Sequence, residues 1–210
     1  MDFVSYYTEG LDSTNKVVVT YGGRFHPPHK GHIFAYEYLR DEFAGHDAFI
    51  TTSNKVDPPN SPFTFDEKNK LFQAAGISPG VIYQVRNNYS PVEILDSYDK
   101  ESTIYVTGIS KKDMEDNPRF TFKPKRDGSP AYLQEFKSIE ECRPMSEHGY
   151  IFTIPTIEFD MSGVSFNSAS EIRKLYIGSD EHAHIALLKA LYPSYNDEVY
   201  NIFNRALLND

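Results

Sequence analysis

Three histidines crowd into one short stretch, GGRFHPPHKGH, which runs from Gly22 to His32. His26, His29 and His32 are three of the seven histidines in the chain. Imidazoles gathered this closely ligate a metal, serve structure, or donate hydrogen bonds to an anion. The two prolines restrict the backbone, and the helical zinc pattern of two histidines with an intervening glutamate is absent. Packing alone accounts poorly for so many ionisable rings in one glycine-rich turn. An anion site accounts for them better. Gly22 and Gly23 let the backbone approach a negative group, and Gly31 permits a tight entry into a following helix. Arg24 adds a fixed positive charge, and His29 and His32 add donors. Such a site stabilises charge developing on a phosphoryl group during displacement, with no covalent intermediate.

A second set of donors lies far downstream, in FNSASEIRKL (166–175). Ser168 followed three residues later by Glu171 and then an apolar residue forms the pattern of a capping box, so a helix begins here. A capped helix start needs no ligand, but it offers free amides to an anion, and Ser170 and Arg173 extend that surface.

The elements that must position these groups follow from periodicity. KVVVTYGG (16–23) reads as a buried strand ending in glycines. After His32 the period changes to that of a helix, with Ile33, Tyr36, Leu39 and Phe43 recurring on one face. The histidines therefore join a strand to a helix N-terminus. Further strands are expected at 47–52, 81–86, 103–108 and 150–156, with helices at 65–76 and 90–99 and Pro91 in a first helical turn. From 168 onward the chain reads as helical, broken at Gly178 and Pro193. Strands alternating with helices imply an α/β fold with a Rossmann-like parallel sheet, helices on both faces, and a helical C-terminal end. Ligands of such sheets lie at the carboxyl ends of the strands, where the histidine stretch falls.

Two segments stand apart. SNKVDPPNSP (53–62) is a loop on its prolines and asparagines. The polar run from 110 to 129 reads as a flap-like insertion, and within it Arg119, Lys123, Lys125 and Arg126 form a basic cluster whose default is a solvated loop. The expected organisation is one domain over 1–210, with a core at 17–177, the insertion at 110–129 and C-terminal helices at 180–208.

Composition narrows the function. A chain of 210 residues that is 40% hydrophobic is long enough for one α/β domain with a proper core. Its formal charge of −9 argues against general affinity for nucleic acid. No apolar run approaches the roughly 20 residues of a membrane span. A single cysteine, Cys142, excludes an internal disulfide framework, argues against a cysteine-rich zinc site and suits the cytoplasm. The oligomeric state is left open.

GRFHPPHKGH resembles the G-R-F-x-P-x-H-x-G-H signature of the HxGH nucleotidyltransferases, in the form carried by NMN adenylyltransferases of the archaeal type. His26 departs from it, replacing the usual glutamine, asparagine or aspartate. SASEIR (168–173) resembles the family's second motif, I-S-G-T-x-I-R, with Ser168, Ser170 and Arg173 matching; Asn167, and Ala169 in place of glycine, depart. The resemblance covers roughly residues 17–208. YVTGISKKDMEDNPRF (105–120) and the flap are also similar to cytidylyltransferase-like nucleotidyltransferases encoded by bacteriophages. Class I aminoacyl-tRNA synthetases share an HxGH element, but this chain is too short and has no evident tRNA-binding module.

The resemblance implies transfer of a nucleoside monophosphate from a nucleoside triphosphate to a phosphorylated small-molecule acceptor, with release of pyrophosphate. ATP is the expected donor and NMN the expected acceptor, giving NAD; CTP is the alternative donor. A non-catalytic nucleotide-binding regulator is the alternative of another class. His29, His32 and Arg173 are the expected catalytic groups. Gly22, Gly23, Arg24, Phe25, Lys30, Gly108, Ser168, Ser170 and Arg173 are expected to bind the nucleotide. No protein metal site is expected; Mg²⁺ would arrive mainly on the nucleotide phosphates.

Overall fold

The computed structural model describes residues 16–115, 120, 122–155, 159–161, 164–166 and 168–208. Six parallel strands form one sheet in the order β3-β2-β1-β4-β6-β5. They are β1 (Lys16–Gly22), β2 (Asp47–Thr52), β3 (Ile82–Gln84), β4 (Thr103–Ser110), β5 (Leu133–Glu135) and β6 (Gly149–Ile154). The order reverses between β1 and β4, whose register pairs Val19 with Val106 and Tyr21 with Gly108. A crevice opens at the carboxyl ends of the strands where the order turns, and this is the ligand position of an open α/β sheet.

Alternation along β1 assigns its side chains to two cores. Val17, Val19 and Tyr21 pack beneath Tyr36 and Leu39 of α1 (Lys30–Glu42), its C-cap Phe43, and Phe72 of α2 (Phe65–Ala74). Val18 faces the opposite way, towards Ile94 and Leu95 of α3 (Val92–Leu95) and Met145. Helices thus cover both faces, as expected. Lys111–Glu115 forms a short helix, α4, after β4. A third core joins Phe63 and Leu71 to α5 (Ala169–Ile177), α6 (Glu181–Leu191) and α7 (Asp197–Leu207). The expected breaks near Gly178 and Pro193 separate these three helices.

Several boundaries differ from the sequence reading. The helix expected at 90–99 closes after one turn, with Pro91 outside it as the N-cap, because the amides of Ser97 and Tyr98 bond three residues back instead of four. The strand expected at 81–86 is regular only over Ile82–Gln84, at the sheet edge. The strand expected at 150–156 runs from Gly149 to Ile154; residue 156 lies outside the described residues. β4 continues to Ser110 and leads straight into α4, so the insertion begins with ordered backbone. β5 and the antiparallel pair β7 (Phe159–Met161) and β8 (Val164–Phe166) were not expected.

Candidate active site

The loop between β1 and α1 is held by its carbonyls. Arg24 is a solvent-exposed side chain whose backbone oxygen accepts from Lys68 Nζ at 3.4 Å and Thr52 Oγ1 at 3.5 Å. The carbonyl of His26 accepts from Arg173 Nη1 on α5. The carbonyl of Pro28 accepts from the Tyr192 hydroxyl at 2.8 Å. Alternate residues are therefore pinned by β2 with α2, by α5, and by the end of α6. Between them, Phe25 has a positive φ of 50° and turns its ring into the core against Phe72. That ring also meets His32 edge-on at 4.8 Å. Phe25 therefore supports the histidines from beneath.

His29 is the N-cap of α1 and His32 its third residue, so the rings stack, with centroids 3.7 Å apart. The backbone amide of His29 donates to His32 Nδ1 at 3.2 Å, which leaves the His32 proton on Nε2. His26 is fixed in the same tautomer, since its Nδ1 accepts from the Phe63 amide at 3.2 Å. Burial holds all three imidazoles neutral. It lowers His29 to about 4 and His32 well below its usual range, with His29 adding to the latter. His26 falls to about 3, first through burial and then through the charges of Lys68, Arg173 and Arg24. The site thus presents neutral N–H donors.

These groups open on one cavity of about 1230 Å³ at the crevice. Gly22, Gly23, Arg24, Phe25, His29, His32, Gly108, Ser168, Ser170 and Arg173 all line it. Lys30, the first residue of α1, is not among the lining residues. Gly108 lies within β4, which continues to Ser110, and a Cβ there would fall 2.3 Å from Leu39 Cδ1. Its bareness admits α1 to the sheet. Gly22 is similarly required by Asn88, whose Cβ would lie 2.7 Å away.

At the start of α5, Ser168 Oγ accepts from the Glu171 amide at 3.4 Å and lies 2.9 Å from Ser170 Oγ. Asn167 is outside the described residues. Arg173 sits close enough to Arg24 that, after burial, this neighbour lowers its affinity for a proton. Five cationic side chains line the cavity (Arg24, Lys55, Arg86, Lys112, Arg173) against three carboxylates (Asp57, Asp113, Glu115), so an acidic protein keeps a pocket suited to anions. Lys55 and the run Arg86–Tyr89 were missed by the sequence reading. Their signal was position: each follows the carboxyl end of a parallel strand. Lys123, Lys125 and Arg126 are exposed and are not among the lining residues; Arg119 is outside the described residues. Phe120 meets Tyr89 at the cavity rim, ring centroids 4.9 Å apart.

A family model described as cytidylyltransferase-like matches residues 20–174, which takes in both motifs and the sheet between them. The chain belongs to the cytidylyltransferase-like family. It is accordingly a nucleotidyltransferase, and the enzyme class and fold expected from the two motifs hold. Among solved structures it is similar to the nicotinic acid mononucleotide adenylyltransferase of Plasmodium falciparum complexed with NaAD. That likeness has a TM-score of 0.54 and 14% identity over 90% of this chain and 98% of the other. The same enzyme complexed with APC gives 0.52 and 15%, over 90% and 98% of the two chains. A putative nicotinate-nucleotide adenylyltransferase from Vibrio parahaemolyticus gives 0.48 and 16%, over 91% and 98%. No curated protein matches the chain in sequence. Among the described residues no helix is long and apolar enough to cross a membrane.

Proposed function

We propose that this nucleotidyltransferase transfers AMP from ATP to a mononucleotide acceptor, with NMN or nicotinic acid mononucleotide as the compound joined, and releases pyrophosphate. One observation carries the reading. The residues of two motifs, separated by more than half of the chain, line a single crevice at the β1–β4 switch point. The fold shared with the nicotinic acid mononucleotide adenylyltransferase of Plasmodium falciparum supports the acceptor.

In this mechanism the acceptor phosphate oxygen attacks the α-phosphorus of ATP. A new P–O bond forms as the bond to the β-phosphate oxygen breaks, and pyrophosphate leaves with that electron pair. His32 Nε2–H and the His29 ring donate to phosphate oxygens, and their grip strengthens as charge shifts onto them. Arg24 and Arg173 balance the triphosphate, and Ser168, Ser170 and the first amides of α5 take its outer oxygens. Among the described residues no group of three ligating side chains could hold a metal. Mg²⁺ delivered on the nucleotide would be coordinated by phosphate oxygens and water. Bound there, it would neutralise phosphate charge. The proposed organisation is one catalytic domain whose C-terminal helices brace the loop.

The test is a screen of the four nucleoside triphosphates against NMN, nicotinic acid mononucleotide and other small phosphates, read as pyrophosphate release. ATP-dependent release with a mononucleotide supports the proposal. Release with CTP alone overturns the donor. Binding without release in any pair overturns catalysis in favour of a regulator.

A further inference from the structure

Lys68 lies on α2 with no exposure to solvent. The same face of that helix carries Leu71 and Phe72, so a lysine occupies a position where an amphipathic helix puts an apolar residue. A buried ammonium is costly unless its donors are satisfied or a counter-charge is near. Among the described residues no carboxylate lies within ion-pairing distance of it. Its donors go instead to Thr52 Oγ1 at 2.8 Å, to the Ser53 carbonyl and to the Arg24 carbonyl. The ammonium thus joins the end of β2 to the β1–α1 loop, directly behind cavity-lining Arg24 and Ser53. Its field reaches the cavity, since Lys68 is one of the charges that lower His26.

We propose that Lys68 is a positioning residue for nucleotide binding: it clamps the Arg24 carbonyl to the end of β2 and supplies, from behind the loop, a positive charge that the arriving triphosphate compensates. The inference rests on the reading of the cavity as a nucleoside triphosphate site. It separates Lys68 from a merely structural lysine, because a compensated cation ties its protonation to the ligand. Burial lowers the Lys68 ammonium to about 8. The empty site therefore holds it partly deprotonated in mildly alkaline solution, and a bound triphosphate favours the charged form. The sign is proton uptake on binding. Of the titratable groups near it, His26 on the loop feels the Lys68 charge together with those of Arg173 and Arg24, and Glu67 precedes it on α2. His26 stays neutral at alkaline pH, and Glu67 is engaged by Arg205 and the Thr64 amide.

The experiment is isothermal titration of the full chain with Mg²⁺ and the α,β-methylene analogues of ATP and CTP. Two buffers of different ionisation enthalpy at about pH 8.5 report the proton count. The wild type is expected to take up roughly half a proton, falling away towards about pH 7. Lys68→Met, close in shape, is expected to bind on the order of tenfold more weakly, without that uptake. Wild-type affinity and wild-type uptake in Lys68→Met would overturn the inference and leave the nucleotide reading intact. A wild type that binds neither analogue would overturn both. Should Lys68→Met fail to fold, the wild type alone decides: uptake that does not change with pH overturns the inference.

Discussion

The hydroxyl of Tyr192 donates to the carbonyl of Pro28 at 2.8 Å, across 164 positions of sequence. Both residues are buried, and the contact ties the histidine loop to the C-terminal helices. Replacing Tyr192 with Phe keeps the ring and leaves a buried carbonyl unpaired. The expected cost is about 1–3 kcal/mol of stability, read from urea unfolding. A rise in KM for the nucleotide should accompany it, because the loop that carries His29 loses one of its anchors.

Acid should unfold the protein through its histidines. The unfolded rings titrate near the ordinary value of 6.5, whereas His29 and His26 in the fold are lowered to about 4 and about 3. Between these values the unfolded chain binds more protons, so stability is complete above about pH 7 and falls as pH drops through 6.5 towards 4. Each ring contributes about 2–3 kcal/mol to that loss by about pH 4.5. His26→Gln keeps an acceptor for the Phe63 amide and removes one titrating ring. Its stability should therefore fall less steeply over this range, with activity retained. An abolished activity would give His26 a chemical role of its own.

The basic flap should be dispensable for binding. Lys123, Lys125 and Arg126 are exposed and do not line the cavity. Neutralising them together with Arg119 should leave KM within about twofold at low salt. A rise in KM that shrinks at high salt would instead make them guides for a phosphorylated substrate.

The motif residues were legible because each is tied to a strand or helix end that the local pattern marks. Gly22 closes a β-branched run without charge after Lys16, and Ser168 opens an amphipathic one. Periodicity also located α1 and the breaks at Gly178 and Pro193. Lys68 and Tyr192 were not found, since their roles depend on partners 44 and 164 positions away. A charged residue on the apolar face of α2 was the one local sign of Lys68. β5 was hidden for a different reason: two half-buried residues and one exposed residue at a sheet edge show too little alternation to stand out. The role of Gly108 also needed the structure, because the helix that fills its empty side begins 78 positions earlier, at Lys30.

In the proposed reaction His29 and His32 act on the transition state of nucleotidyl transfer. The measurement is pyrophosphate release by His29→Ala and His32→Ala, with nucleotide affinity measured beside it by titration. Each variant should lose on the order of 10²-fold or more in kcat, by comparison with single oxyanion donors, while nucleotide affinity changes far less. Near-normal turnover in both variants would remove the two histidines from the chemistry.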